Sequence, residues 1–169
     1  MDEQQLETKR IQLRKDQNTL IIVGMGAMAF AAWDFVKMLL MVTLQSRKLL
    51  EIAGIEPGDL FTDIFFFTAF ILVILFLCLI RVYIGRTAIR EGRDKKVRSV
   101  YVFFAAIAAV VSGMSFLWEF IGPPEPTDTL LDVIAAAMME LTSALTMFEL
   151  VIAAIRVRKV RKELEEAAG

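Results

Sequence analysis

The sequence predicts an all-α integral membrane protein, a four-transmembrane-helix bundle with both termini in the cytoplasm. Apolar residues make up 57% of its 169 residues and the mean hydropathy is +0.59, whereas soluble domains are roughly 45–50% apolar. The apolar residues gather in four stretches, each about as long as a bilayer crossing. If each stretch crosses the membrane once, the first and last residues of the chain and the loop between the second and third stretches lie on one side. Most basic residues are in these three segments.

The four stretches correspond to four expected spans. A transmembrane helix needs about 20 mainly apolar residues to cross roughly 30 Å of hydrocarbon. Segments 19–44, 64–80, 99–121 and 135–155 meet this requirement. Residues 1–169 are therefore expected to form a single membrane domain.

The segments outside these spans predict the orientation. Lysine and arginine occur four times in the tail 1–18, seven times in the loop 81–98 and five times in the tail 156–169. The opposite side has only Arg47 and Lys48. Because cytoplasmic segments carry the excess of positive charge, we expect a cytoplasmic basic loop and two cytoplasmic helical tails.

The basic segments also indicate the partners. The whole chain has a formal net charge of only −1, so the basic segments are expected to rest on anionic lipid headgroups and not on nucleic acid. The expected location is a cytoplasmic membrane, the inner membrane of a bacterium. Apolar seams on the tails, such as Leu6, Leu13 and Leu20, would pack on each other or on a partner, and we expect a homo- or hetero-oligomer.

Two residue types narrow the chemistry. The chain has one cysteine, Cys78, so no intrachain disulfide can form. It has no histidine, which removes bis-histidine haem, most zinc and copper sites and a histidine general base. We therefore expect no enzymatic activity, no catalytic residues, no cofactor and no metal site. An enzyme acting on lipid would have only carboxylate and lysine acid–base chemistry available.

A pattern recurs between the two halves of the chain. Trp33-Asp34-Phe35 in the first span resembles Trp118-Glu119-Phe120 in the third, and Ile80-Arg81-Val82 resembles Ile155-Arg156-Val157. The matching triplets predict a tandem repeat of a two-helix hairpin, related by an axis along the membrane normal. The alternative is that tryptophan marks an aromatic belt twice and that arginine ends each helix on the positive side.

Carboxylates inside the spans are the candidate functional residues, because a charge near the bilayer centre costs about 2.5 kcal/mol or more. At 1.5 Å per residue, Asp34, Glu119 and Glu140 all reach the outer half of the bilayer, roughly 24–30 Å above the inner boundary. Lys37 follows Asp34 by three positions and can pair with it. One lysine cannot neutralise three acids, which predicts a bound proton or cation.

Aromatic rings complete the expected pocket. Trp33 and Trp118 flank two of the acids and would attract an organic cation through their ring faces. The alternative is that these tryptophans are belt anchors beside hydrated acids, which leaves only Glu140 to be explained. Glu149 and Arg156 are seven positions apart, on one helix face, and are expected to form a structural ion pair.

Two classes of function follow. In the first, the protein binds or transports a cation or a proton-coupled solute through an outer-half acidic–aromatic pocket. In the second, it is a non-catalytic accessory or scaffold subunit of a larger membrane complex, and its acids satisfy a partner. Convergence of the acids on one cavity would favour the first class.

Overall fold

The structure is a computed structural model that describes residues 3–44, 60–121 and 130–168. These residues form four helices, each with a stretch long and apolar enough to cross a membrane, as the sequence predicts. The four-helix bundle is therefore confirmed. The helices are α1 (Glu3–Leu44), α2 (Leu60–Gly92), α3 (Val100–Ile121) and α4 (Leu130–Ala168).

Consecutive helices run in opposite directions around the bundle. α1 packs most extensively on α2 and also on α4, and α3 packs on α4. α2 and α3 contact each other over a smaller part of their length. The ring of helices is therefore closely packed on three sides and looser between α2 and α3.

The core lies towards the end of the bundle where the chain begins and ends. It is built from one buried face of each helix, and small alanines alternate there with larger side chains, so the helices approach closely. Many apolar side chains elsewhere are exposed, as expected for helices that face lipid. The core residues are Leu20, Val23, Ala27, Ile84, Ala88, Tyr101, Ala105, Met147, Leu150, Ala153, Ala154 and Val157.

Glycine sets the closest helix contact. A Cβ atom added to Gly85 would lie 2.6 Å from the backbone oxygen of Gly24 and 2.7 Å from Cγ of Met28. A Cβ atom added to Gly92 would lie 2.6 Å from Cγ1 of Ile21. Because neither glycine has a side chain, the backbone of α2 comes close to α1 at both points.

The second helix continues past Ile80, the expected end of the second span. Residues 81–92 of the predicted loop are helical, because α2 continues to Gly92. Its buried face continues as well, since Ile84 and Ala88 are fully buried in the core. Packing against α1 therefore extends the helix beyond the arginine that the sequence suggests as its end.

The end of α2 is a Schellman turn. The N–H of Asp94 donates to the carbonyl of Glu91, and the N–H of Lys95 donates to the carbonyl of Arg90. Asp94 occupies the left-handed position, with φ of 64°, where glycine is usual. Its carboxylate accepts hydrogen bonds from Arg161 at 2.7 Å and from Gln17 at 3.2 Å. The turn thus links α2 to both α4 and α1.

The structure does not show the predicted repeat. In the first hairpin, Asp34 and Arg81 are in contact. In the second hairpin, Arg158, two residues after Arg156, lies over the ring of Tyr101. Glu119 is 18 positions beyond Tyr101 in α3, which places it about 24 Å from Arg156 along the bundle axis. The two hairpins therefore differ in register.

Candidate functional site

A cavity of about 460 Å³ opens between the four helices. Most of its lining comes from α2 and α3, whose packing is loosest, and the lining is largely apolar. Four charged side chains also face it: Asp34 and Lys37 from α1, Arg81 from α2 and Glu140 from α4. The structure therefore gathers charges from three helices around one space inside the bundle.

Asp34 and Arg81 form the fixed part of this site. Nη1 of Arg81 donates to Oδ2 of Asp34 at 2.5 Å, and Nη2 donates to Oγ of Ser112 at 2.9 Å. The Arg81 side chain is only 17% exposed, so a partner is needed to offset its loss of hydration. The guanidinium fork joins α1, α2 and α3 at one level.

Lys37 and Glu140 form the unpaired part. Lys37 lies one turn from Asp34, close enough for its charge to act on that carboxylate. Within the described residues, neither Lys37 nor Glu140 has an ion pair or a side-chain hydrogen bond. The cavity therefore presents one cation and one anion that have no partner of their own in the described chain.

The expected aromatic part of the pocket lies elsewhere. Neither Trp33 nor Trp118 is among the lining residues, and the two side chains are 46% and 79% exposed. Trp33 is the residue before Asp34, so its side chain points about 100° away from that of Asp34 around the helix axis. Trp118 lies six positions beyond Ser112, about 9 Å along α3. The aromatic ring that does line the cavity belongs to Phe104.

Glu119, Glu149 and Arg156 are the remaining residues that the sequence singles out. The side chain of Glu119 lies outside the described part of the structure, so its place in the pocket stays a prediction. Glu149 and Arg156 are both exposed on α4, and within the described chain no ion pair joins them. Seven positions span about 10 Å of helix, which is long for a direct contact.

Sequence reasoning missed Arg81, Ser112 and Ser115, which line the cavity. The sequence pattern places Arg81 at the end of a span. The signal that it lies within the bundle is the apolar run that follows it, Val82-Tyr83-Ile84, since a helix leaving the membrane would turn polar there. Ser112 and Ser115 are three positions apart, on one face of α3, as expected for residues lining a shared space.

A second polar cluster ties the helices together at the other end of the core. Glu91 is buried, with 2% of its surface exposed. It accepts hydrogen bonds from Tyr101 and from Arg158, whose Nε and Nη2 lie 2.7 and 2.9 Å from its two oxygens. Arg158 also lies over the Tyr101 ring, 5.6 Å from its centroid. This cluster satisfies its own charges, so it is a structural clamp between α2, α3 and α4.

Comparison with protein-family models, with curated proteins and with solved structures finds no match to this chain. The chemistry of the cavity must therefore indicate the function. Of the described lining, two side chains are acidic and two are basic, so the charges balance. The arrangement can hold an amphipathic molecule, with its polar group near Lys37 and Glu140 and its apolar part against α2 and α3.

Proposed function

We propose that the protein binds a proton-coupled solute in this cavity, with Glu140 as the carboxylate that takes up the proton. The observation that carries the proposal is the convergence of Asp34, Lys37, Arg81 and Glu140 on one space in an otherwise apolar bundle. Ionisable residues inside membrane helices are costly and mark pathways for ions, protons or substrates. Two of the four have no described partner.

The charge balance favours a proton-coupled anion over a free cation. The Arg81 guanidinium already neutralises Asp34, and Lys37 balances Glu140 across the cavity. Adding a cation would leave an uncompensated positive charge in an apolar space. Protonating Glu140 leaves one excess positive charge, which an anionic solute neutralises. The described cavity is neutral both when it is empty and when it holds one proton and one monovalent anion.

The orientation and depth belong to the same proposal. Arg81 lies 11 positions before the end of α2, about 16 Å along the helix, near the middle of a layer about 30 Å thick. With both termini in the cytoplasm, the end of the cavity nearest the buried core faces the cytoplasm. The looser contact between α2 and α3 gives an amphipathic solute a way in from the bilayer.

The proposal is tested with octanoate, an amphipathic carboxylate, on purified protein in detergent. Binding should strengthen as the pH falls, with uptake of about one proton per octanoate bound. Glu140→Gln should make binding independent of pH, because the amide keeps the shape of the side chain but cannot titrate. Isothermal titration calorimetry in buffers of different ionisation enthalpy measures both quantities.

Glu149→Gln is the matched control, since Glu149 is on the same helix but exposed and outside the cavity lining. It should leave binding and its pH dependence unchanged. Equal effects of the two variants would contradict the role of Glu140. Tetraphenylphosphonium binding that Glu140→Gln abolishes, without octanoate binding, would instead support the cation form of the pocket. If neither probe binds and the protein copurifies with a larger complex, the scaffold function replaces this proposal.

A further inference from the structure

A second cavity lies on the outside of α2, near its C-terminal end. It measures about 400 Å³ and is lined by Arg86, Arg90, Arg93, Lys95 and Ile89. Every polar lining residue is therefore basic. None of its lining residues lines the central cavity.

Acidic side chains nearby do not neutralise this cluster. Glu91 is buried and bonded to Arg158, and Asp94 is bonded to Arg161. Within the described residues, the four basic side chains of the cavity have no ion pair. The partial negative charge of a helix end favours a cation in its last turn, where Arg90 lies, but it does not account for four cations around one space.

The basic residues continue an exposed apolar stripe on the same helix face. The spacing from Leu72 to Arg90 alternates between four and three residues, which keeps side chains on one face of α2, and Arg93 follows directly after its last residue. Every member is exposed. Tyr83 lies at the junction, where an aromatic side chain with a polar tip suits the membrane interface. In chain order the stripe is Leu72, Phe76, Leu79 and Tyr83, followed by Arg86, Arg90 and Arg93.

The depth of the cluster matches that of lipid headgroups. Gly92 packs against Gln17 and Ile21 of α1, where the polar tail of α1 gives way to its apolar stretch. Arg86 lies six positions deeper, about 9 Å, within reach of the interface because an arginine side chain extends towards water. The charged part of the stripe thus begins within an arginine's reach of the headgroups.

We propose that this stripe is a binding site for one anionic phospholipid. Its phosphate lies among Arg86, Arg90, Arg93 and Lys95, and an acyl chain lies along Leu79, Phe76 and Leu72. Arginine binds phosphate oxygens through two parallel hydrogen bonds. The apolar half of the stripe selects a lipid over free phosphate, because only a lipid covers both parts.

Native mass spectrometry of the full-length protein in detergent tests the site. The probes are dioleoyl phosphatidylglycerol, dioleoyl phosphatidylcholine and soluble glycerol 3-phosphate. The protein should retain one phosphatidylglycerol, and the other two probes should bind at least tenfold more weakly. The variant R86Q/R90Q/R93Q should weaken phosphatidylglycerol binding on the order of 100-fold, at roughly fivefold per charge. Arg90→Gln alone should weaken it about fivefold.

The matched control is R10Q/R14Q/K15Q, which removes three exposed charges from the start of α1. It should leave phosphatidylglycerol binding unchanged. Equal weakening by the two triple variants would overturn the proposal, because a general positive field would then explain retention. Equal retention of phosphatidylcholine would overturn the role of the cations. Glycerol 3-phosphate binding as tightly as the lipid would overturn the lipid as occupant.

Discussion

Replacing Gly85 by alanine tests the contact that sets the geometry of the bundle. Gly85 lies where the backbones of α1 and α2 meet, four positions after Arg81 on the same helix. One methyl group there changes neither charge nor hydrogen bonding. Any effect on stability therefore reports the close approach of the two helices.

The distances give the size of the effect. The new Cβ atom would lie 2.6 Å from the backbone oxygen of Gly24, about 0.8 Å short of the 3.4 Å where ordinary van der Waals contact begins. Backbone atoms cannot rotate away, so the helices must separate. Overpacking of this kind costs about 1–3 kcal/mol. The shift would also pull Asp34 away from Arg81, so the same variant should weaken octanoate binding.

Unfolding by sodium dodecyl sulfate in dodecylmaltoside micelles, followed by circular dichroism, measures the change. Gly113→Ala on α3 is the control, because nothing lies within 4 Å of a Cβ atom there. It should be neutral or up to about 1 kcal/mol more stable, since alanine is the better helix former. If Gly85→Ala were as stable as the parent protein, the close packing of α1 on α2 would be refuted.

Three further predictions concern the ion pair, the clamp and the orientation. Arg81→Met should destabilise the bundle by about 3–5 kcal/mol, because Asp34 is left without its partner, and R81M combined with D34N should recover most of the loss in the same unfolding assay. Tyr101→Phe should cost about 1–3 kcal/mol, because a buried carboxylate loses a donor. A single cysteine placed at Lys96 should react with an impermeant maleimide only from inside the cell, and one placed at Pro124 only from outside.

Each of these has a result that would contradict it. Additive losses in the Arg81 and Asp34 double-mutant cycle would mean that the two side chains do not interact. Tyr83→Phe is the control for Tyr101, since its side chain is 47% exposed, and equal losses would remove the clamp. Labelling uses a Cys78→Ser background, and reversed accessibility at either site would overturn the assignment of the termini.

Part of the candidate site could be predicted from single residues. Asp34, Lys37 and Glu140 stand out because each is an ionisable side chain within a long apolar stretch, and such residues are rare in membrane helices. In the structure these three side chains line one cavity. Trp33 and Trp118 were candidates only because tryptophan rings can bind a cation. Whether a ring faces a cavity depends on its angle around the helix and on which neighbour covers that angle.

The contact of Arg81 with Asp34 could not be predicted from the sequence. In sequence, an arginine followed by more basic residues is typical of a helix end on the cytoplasmic side. Only the register between α1 and α2 brings it to Asp34, and that register is set by Gly24 against Gly85. The same register brings Arg81 to the cavity, where two basic side chains balance two acidic ones.

The sequence by itself determined the number of helices and their approximate apolar stretches, because these depend on hydropathy summed over about 20 residues. The tertiary structure decided which side chains meet: Asp34 with Arg81, and Glu91 with Tyr101 and Arg158. These contacts join residues between 10 and 67 positions apart. They depend on the rotation and offset of each helix against its neighbours, which packing of small residues fixes and hydropathy does not encode.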